Sequence, residues 1–157
     1  MLLCYCSLYY NYERRRLPIY DIIIRTLDLK PENIQELKYV YINKENIYYL
    51  KLIPRGAFCK NCGKFIKRIH GYESIRIHHS IILKEKTTII YKHRRYKCDV
   101  CHTTTFETNP FQSHHVHISH TTILKVLELL KDYNHTFASV SRYTNIKSTI
   151  IQTIFDC

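Results

Sequence analysis

The sequence predicts an α+β fold, in which a β-rich part of the chain is followed by a helical part. Two C-x-x-C pairs, Cys59 with Cys62 and Cys98 with Cys101, enclose a segment with the alternating pattern of β-strands. From residue 119 onward, apolar residues recur with the spacing of amphipathic helices. A length of 157 residues is enough for one domain or two small ones.

The composition excludes several classes of protein. With 45% hydrophobic and 13% aromatic residues, the chain has enough apolar material for a packed core. Only 3 glycines are present, and no glycine-rich phosphate loop can be read in the sequence. The commonest signature of nucleotide-dependent enzymes is therefore absent.

The net charge of +11 is concentrated in one block. Residues 55–102 contain twelve basic and three acidic side chains, against eight and six in residues 1–54 and four and four in residues 103–157. Such a concentration of positive charge attracts polyanions, so we expect nucleic acid as the partner, with an anionic membrane surface as the second candidate. The plain alternative is that the charge only keeps the protein soluble. The basic side chains expected to contact DNA are Lys64, Lys67, Arg68, Lys92, Arg94, Arg95 and Lys97.

The two C-x-x-C pairs bracket this basic block and are typical of a structural Cys4 zinc site. Two residues between ligands let the turn close so that both thiolates point at one ion. Gly63 suits the positive φ expected after the first pair, whereas His102 fits the equivalent position less well. Zinc with four thiolates contributes about −2, so the block stays strongly basic at about +7.

Three other interpretations of the cysteines are open. Residues 98–102 match the C-x-x-C-H signature of haem attachment, but haem leaves Cys59 and Cys62 unexplained. Disulfides are disfavoured because the N-terminus does not read as an export signal. A redox C-x-x-C needs only one pair and a βαβ context. We expect zinc, with free thiols at Cys4, Cys6 and Cys157.

The chain between the cysteine pairs reads as a β-hairpin. Residues 72–78 alternate, residues 88–96 are rich in β-branched and aromatic side chains, and residues 80–86 form the loop between them. The hairpin with its two cysteine turns predicts a zinc ribbon. Before it, we expect a helix over residues 21–27 and a hairpin of residues 37–42 and 47–53 that turns at 43–46 and packs on the ribbon.

Tyrosines are frequent in this first hairpin. They could stack on nucleic-acid bases, but we favour roles in the core or on a strand face. They are Tyr39, Tyr41, Tyr48 and Tyr49.

The last part of the chain predicts three helices. The first begins after an N-cap at Ser119 or Thr121, the second covers residues 136–143, and the third opens at Ser148. Two short helices joined by a tight turn, with Asn145 in place of the usual glycine, predict a helix-turn-helix. Its recognition helix would present side chains that can hydrogen-bond to bases or phosphates, although an ordinary solvated helix face is the plain alternative. These side chains are Ser148, Thr149, Gln152 and Thr153.

Histidines cluster just before these helices, at positions 114, 115, 117 and 120. The sequence offers them no carboxylate partner, and the run lacks the i, i+4 spacing that would place two ligands on one side of a helix. We therefore interpret residues 109–118 as a linker rather than a second metal site.

Several motifs in order resemble the N-terminal half of insertion-sequence transposases of the ISL-three family. They are residues 59–63, 70–72, 93–98 with Cys101, 105–107 and 109–111, followed by the helical segment. The resemblance covers residues 20–157 and is strongest from residue 59. It departs from the family at Lys60, where proline is common, and at Lys147, where a small capping residue is usual.

The patterns predict this domain order: an unassigned segment 1–19, a helix and hairpin over 20–54, a Cys4 zinc ribbon over 55–108, the linker, and a helix-turn-helix over 119–157. By the resemblance, zinc would be held by Cys59, Cys62, Cys98 and Cys101, and the partner would be the double-stranded DNA of the inverted repeats. In the family an RNase H-like catalytic domain follows the third helix. We therefore expect a truncated transposase that binds DNA but is not an enzyme.

Other expected partners are a second copy of the chain or the full-length transposase, with no membrane and no small-molecule substrate. The expected location is the cytoplasm, at the nucleoid. The competing hypothesis is a zinc-ribbon module that docks protein or RNA without sequence-specific DNA binding.

Overall fold

A computed structural model describes residues 18–80, 85–111 and 117–156 of the chain. Within these ranges the architecture is mixed, with a five-stranded sheet, a separate two-stranded hairpin and four α-helices. The helices are α1 Pro18–Thr26, α2 His120–Leu130, α3 Phe137–Thr144 and α4 Ser148–Phe155, and a 3-10 turn spans Pro31–Asn33. The strands are β1 Ile34–Ile42, β2 Glu45–Leu52, β3 Ala57–Phe58, β4 Phe65–Ile66, β5 Ile69–His78, β6 Lys86–Lys97 and β7 Thr104–Phe106.

The first hairpin, β1 and β2, is tighter than predicted. Its turn consists of Asn43 and Lys44 alone, with φ of 51° and 60°. Positive φ at both central residues is the type I′ geometry, whose twist matches that of the flanking strands. Strand β1 also begins earlier than expected, directly after the 3-10 turn that starts at Pro31.

The long strand β6 organises the main sheet, whose order is β1-β2-β6-β5. Strand β5 pairs antiparallel with β6 from Ile69 to His78, which confirms the predicted hairpin between the cysteine pairs. On the opposite edge of β6, the first half pairs in parallel with β2 and the last residues pair with β7. The first hairpin does not pack on the ribbon as a separate unit, because both belong to one continuous sheet.

The two faces of this sheet differ. One face packs against α1, and its core includes Ile23, Tyr48, Leu50, Ile89 and Tyr91. The other face is open to solvent over much of its area, where large side chains of β1, β2 and β5 remain exposed. Those side chains are Val40, Ile42, Tyr49 and Tyr72.

The helices α2, α3 and α4 surround a second core centred on Val126, Val140 and Ile151. Ser119 is the N-cap of α2 and accepts a hydrogen bond from the Thr122 backbone N–H. Thr136 caps α3 in a reciprocal capping box with Ser139. The chain leaves α3 through Asn145, which adopts the left-handed conformation at φ 58°. The predicted helices are therefore present, with bounds within a few residues of those expected.

The end of β5 joins the sheet to the helices. The His78 ring contacts the Thr144 carbonyl at the end of α3 at 2.8 Å, and the His79 ring lies 2.7 Å from the Ser119 Oγ. The backbone N–H of Ser80 donates to Thr122 Oγ1 at 2.8 Å. These contacts fix the orientation of the helices relative to the sheet.

The predicted linker 109–118 is packed at both of its described ends. Phe111 is buried in the sheet core, with its ring edge-on to Tyr91 at 5.1 Å between centroids. Ile118 is buried in the helical core and forms a parallel β-bridge with His78. Residues 1–17 of the unassigned segment 1–19 lie outside the described residues, as do His114, His115 and the predicted free thiols Cys4, Cys6 and Cys157. No helix within the described ranges is long and apolar enough to cross a membrane.

Candidate metal centre and basic groove

The four cysteines of the two C-x-x-C pairs converge on one point. The Sγ atoms of Cys59 and Cys101 lie 3.4 Å apart, those of Cys62 and Cys98 3.5 Å apart, and all four lie within 4.8 Å of one another. None of the four forms a disulfide. A tetrahedral zinc ion with Zn–S bonds of about 2.3 Å requires sulfur separations of about 3.8 Å. The donor set and its spacing therefore fit one zinc ion.

Backbone geometry explains how each cysteine turn closes. The N–H of Cys59 donates to the carbonyl of Lys64, and the N–H of Cys98 donates to that of Thr103 in the same five-residue relationship. Both turns need a left-handed residue directly after the second ligand: Gly63 has φ 72° and His102 has φ 57°. The prediction for Gly63 is confirmed, and the second turn is built with a residue that is less suited to this conformation.

Neighbouring groups shift the pKa values of two of these thiols in opposite directions. Hydrogen bonds from the side chain and backbone of Thr103 lower the pKa of Cys101 to about 5. For Cys62, the backbone N–H of Lys64 lowers the pKa, but hydrogen bonding with the Cys98 thiol, burial and the other thiols outweigh this effect and raise it to about 12. Zinc binds thiolates and must displace the remaining protons, so zinc affinity increases with pH.

Comparison with known proteins identifies this region. Residues 55–101 match the family model described as the zinc-finger of transposase IS204/IS1001/IS1096/IS1165. The match supports the expected resemblance for the metal-binding part of the chain. No curated protein and no solved structure matches the chain. We refer to residues 55–101 below as the zinc-finger region.

A basic groove lies beside the second cysteine turn of the zinc-finger region. It has a volume of about 600 Å³ and is bounded by β4, the start of β5 and residues 97–99 and 102. Four of the side chains predicted to contact DNA line it: Lys64, Lys67, Arg68 and Lys97. Among the described residues that line it, the only carboxylate is that of Asp99, which forms an exposed ion pair with Lys64 at 3.0 Å.

Arg94 does not line this groove, and the prediction that it contacts DNA is wrong. The side chain is 1% exposed, and its Nη1 lies 3.1 Å from Oε2 of Glu107. Its Nη2 donates to Gln35 Oε1 at 2.6 Å and to the Leu52 carbonyl. The guanidinium thus ties the end of β2 to the segment after β7, and it cannot reach a ligand outside the protein.

The two remaining predicted DNA contacts of β6, Lys92 and Arg95, are exposed but lie away from the groove. Arg95 packs over Gly71, where a Cβ would come within 3.2 Å of its Nη2 atom. Lys92 lies on the exposed sheet face, with its Nζ 5.0 Å from the centroid of the Tyr72 ring.

The predicted contact residues of α4 are all exposed: Ser148, Thr149, Gln152 and Thr153. The Thr153 hydroxyl donates to the Thr149 carbonyl at 3.0 Å, so its proton is engaged within the helix. Ile151 and Ile154, on the opposite side of α4, are buried against the other helices. The structure thus leaves the polar side of α4 open to a ligand.

Sequence reasoning missed several residues of the groove. His70 and Phe65 line it as well, and Phe65 forms an aromatic pair with the exposed Phe58 at 4.9 Å between centroids. The available signal was the position of Phe58 and Phe65 on either side of the first cysteine turn, which places them opposite each other in the β3–β4 hairpin.

Proposed function

We propose that this chain binds double-stranded DNA and serves as the DNA-binding part of a transposase, with the inverted repeats at the transposon ends as its target. The observation that carries the proposal is the convergence of Lys64, Lys67, Arg68 and Lys97 on one groove beside the metal centre. In the described part of the chain, this groove has one carboxylate, that of Asp99, and it is paired with Lys64. A concave surface with this charge balance suits the phosphates of a nucleic-acid backbone.

The metal and the groove have separate roles in this proposal. Zinc with four thiolates has a charge of about −2, which leaves the zinc-finger region with a large positive excess. The ion would hold the two cysteine turns in place, and the lysines and arginine beside them would bind phosphates. Phosphate contacts position a protein on DNA but carry no sequence information.

We assign sequence recognition to α3 and α4, acting as a helix-turn-helix. A three-residue connection with a left-handed residue at Asn145 joins the two helices, as such a motif requires. Helix α4 would then enter the major groove and present Ser148, Thr149 and Gln152 to base edges. The contacts of His78 with Thr144 and of His79 with Ser119 would keep this helix at a fixed position relative to the basic groove.

The proposal is tested by mobility shift of the zinc-loaded chain on cognate inverted repeats and on random duplex of equal length. Preference for the repeat is expected, and equal affinity for both would contradict sequence recognition.

The double variant Lys67→Gln/Arg68→Gln should flatten the log–log salt dependence of DNA binding by about 1.8, or about 0.9 per lost phosphate contact. The double variant Lys30→Gln/Lys131→Gln, which removes two exposed charges elsewhere, should retain the original slope. Ser148→Ala/Gln152→Ala should reduce the preference for the repeat without changing that slope.

One observation favours a second function, a module that docks protein. Phe58 and Phe65 form an exposed aromatic pair on the β3–β4 hairpin, and aromatic side chains are enriched at protein interfaces. Phe58→Ser should then abolish capture of a protein partner while leaving DNA affinity unchanged. If DNA binding shows no salt dependence, the docking function is the better explanation.

A further inference from the structure

The exposed face of the main sheet contains a group of side chains that the proposed function does not use. Cross-strand partners lie on the same face of a sheet, and the register places Lys51, Lys92 and Tyr72 together on this one. The Nζ atoms of Lys51 and Lys92 lie 4.7 Å and 5.0 Å from the centroid of the Tyr72 ring. Two ammonium groups therefore share one aromatic ring on an open surface.

These two lysines differ from the other basic residues of the face. Lys38 is paired with Glu36 at 2.6 Å, and Glu45 pairs with Lys86 at 3.0 Å and with Arg76 at 3.8 Å. Within the described residues, no carboxylate oxygen lies within 4 Å of the Nζ of Lys51 or Lys92. Glu36, the cross-strand partner of Lys51, is hydrogen-bonded to Lys38, so in the described part of the chain Lys51 and Lys92 have no direct carboxylate contact of their own beside Tyr72.

Exposed aromatic rings accompany this charge. Tyr72 is 47% exposed, and Tyr49, on the same face, is 42% exposed. The apolar residues Val40 and Ile42 extend the surface along β1. Rings that stand on a flat sheet can stack only on bases that are not already paired and stacked in a duplex.

We propose that this sheet face binds single-stranded nucleic acid, with Tyr72 and Tyr49 stacking on unpaired bases and Lys51 and Lys92 contacting the backbone phosphates. A second copy of the chain is a poorer occupant, because it would bring five basic and two acidic side chains against an identical set. The segment 1–17 is also poorly suited, since it has three arginines and one glutamate and is repelled by the same field. This binding is independent of duplex binding by the basic groove.

The test is fluorescence anisotropy of the zinc-loaded chain with a labelled 12-nucleotide oligothymidylate and, separately, a labelled duplex. Tyr72→Leu is expected to weaken binding to the single strand by at least about fivefold, because base stacking on the ring is lost, and to leave duplex affinity unchanged. Tyr72→Phe, which keeps the ring, should bind like the wild type. Tyr41→Leu is the matched control, since Tyr41 is 61% exposed but lies on the opposite face by register.

The charges are tested in the same way. Lys51→Gln/Lys92→Gln should reduce the log–log salt slope for the single strand by about 1.4, or about 0.7 per lost contact. Lys30→Gln/Lys131→Gln removes the same charge elsewhere and should leave the slope unchanged. Zinc content and thermal unfolding of each variant show whether it is folded.

Three outcomes would overturn the proposal. They are absence of single-strand binding by the wild type, an equal loss of affinity in Tyr41→Leu and Tyr72→Leu, and a wild-type dimer that Tyr72→Leu dissociates. A groove variant such as Lys67→Gln/Arg68→Gln should affect the duplex alone, so failure of duplex binding and failure of this proposal give different results.

Discussion

The Nδ1 atom of His79 lies 2.7 Å from the Oγ of Ser119, and neither residue is exposed to solvent. The surrounding hydrogen bonds fix the direction of this contact. Thr26 Oγ1 donates to the Ile22 carbonyl at 2.9 Å and so accepts from His79 Nε2, also at 2.9 Å. Burial lowers the pKa of His79 and keeps the ring neutral at pH 7, so with its proton on Nε2 its Nδ1 accepts from Ser119. One imidazole thus connects α1, the end of β5 and the N-cap of α2.

This contact predicts acid sensitivity. Burial lowers the pKa of His79 to about 4, and His78 and Lys125 act in the same direction. In the unfolded chain, this histidine has its ordinary pKa near 6.5. Between pH 4 and pH 6.5, the unfolded chain therefore binds a proton more readily than the folded protein does. The contribution of neutral His79 to the free energy of unfolding is therefore fully present above about pH 6.5. It is lost as the pH falls towards 4, and the loss at pH 5 is about 2 kcal/mol.

Urea unfolding at pH 7.5 and pH 5 measures this effect. His79→Gln should remove about 2 kcal/mol of the difference between the two pH values. Loss of zinc at low pH affects wild type and variant equally and cancels in the comparison. His120→Gln, which replaces an exposed ring, should keep the wild-type pH dependence. Identical pH dependence in wild type and His79→Gln would show that His79 is not the sensitive group.

Loss of one thiolate should abolish zinc binding. Cys98 is fully buried and completes the four-sulfur cluster, so Cys98→Ser leaves a three-ligand site and is expected to lose the ion and unfold residues 59–101. Metal analysis should give one zinc per chain in the wild type and much less than one in the variant. Cys157→Ser, which changes a cysteine outside the two C-x-x-C pairs, should keep full zinc content. A full complement of zinc in Cys98→Ser would contradict the assigned ligand set.

Breaking the buried pair of Arg94 and Glu107 should destabilise the fold strongly. Glu107→Gln leaves the Arg94 cation buried without its counter-charge, at an expected cost of about 3–5 kcal/mol in the free energy of unfolding. The amide can still accept the hydrogen bond of the Tyr91 hydroxyl, which lies 2.8 Å from Oε1, so the lost charge is the main change. Lys38→Gln breaks the exposed pair with Glu36 and should cost far less stability, because water screens that pair. Similar costs for both variants in urea unfolding would count against a structural role for Arg94.

Substitution of the residue after the second ligand should change the stability of the protein in opposite directions in the two cysteine turns. His102→Gly removes the strain of a left-handed residue with a Cβ and should stabilise the zinc-loaded protein by about 0.5–1 kcal/mol. Gly63→Ala should destabilise it by about 1 kcal/mol. No atom lies within 4 Å of the added Cβ, so this cost comes from the backbone alone. Thermal unfolding measures the stability of both variants. A change in the same direction in both would contradict the role assigned to the left-handed residue of each turn.

Residues that act locally were predictable from the sequence. The C-x-x-C spacing determines which thiols form the metal site, because a two-residue gap lets both sulfurs of a turn face one ion. Ser119 and Thr136 begin helices because their hydroxyls accept the free backbone N–H groups of the first turn. Asn145 permits the left-handed exit from α3 for a similarly local reason.

The tertiary structure alone decided which charged and aromatic residues face a ligand. Arg94 and Arg95 are adjacent in sequence, yet Arg94 is buried while Arg95 is exposed over Gly71, because only Arg94 meets Glu107, Gln35 and the Leu52 carbonyl. The parallel pairing of β2 with β6 joins segments about 40 residues apart and brings Lys51 beside Tyr72 and Lys92. No local pattern specifies such a pairing, since its stability comes from burying the shared core against α1.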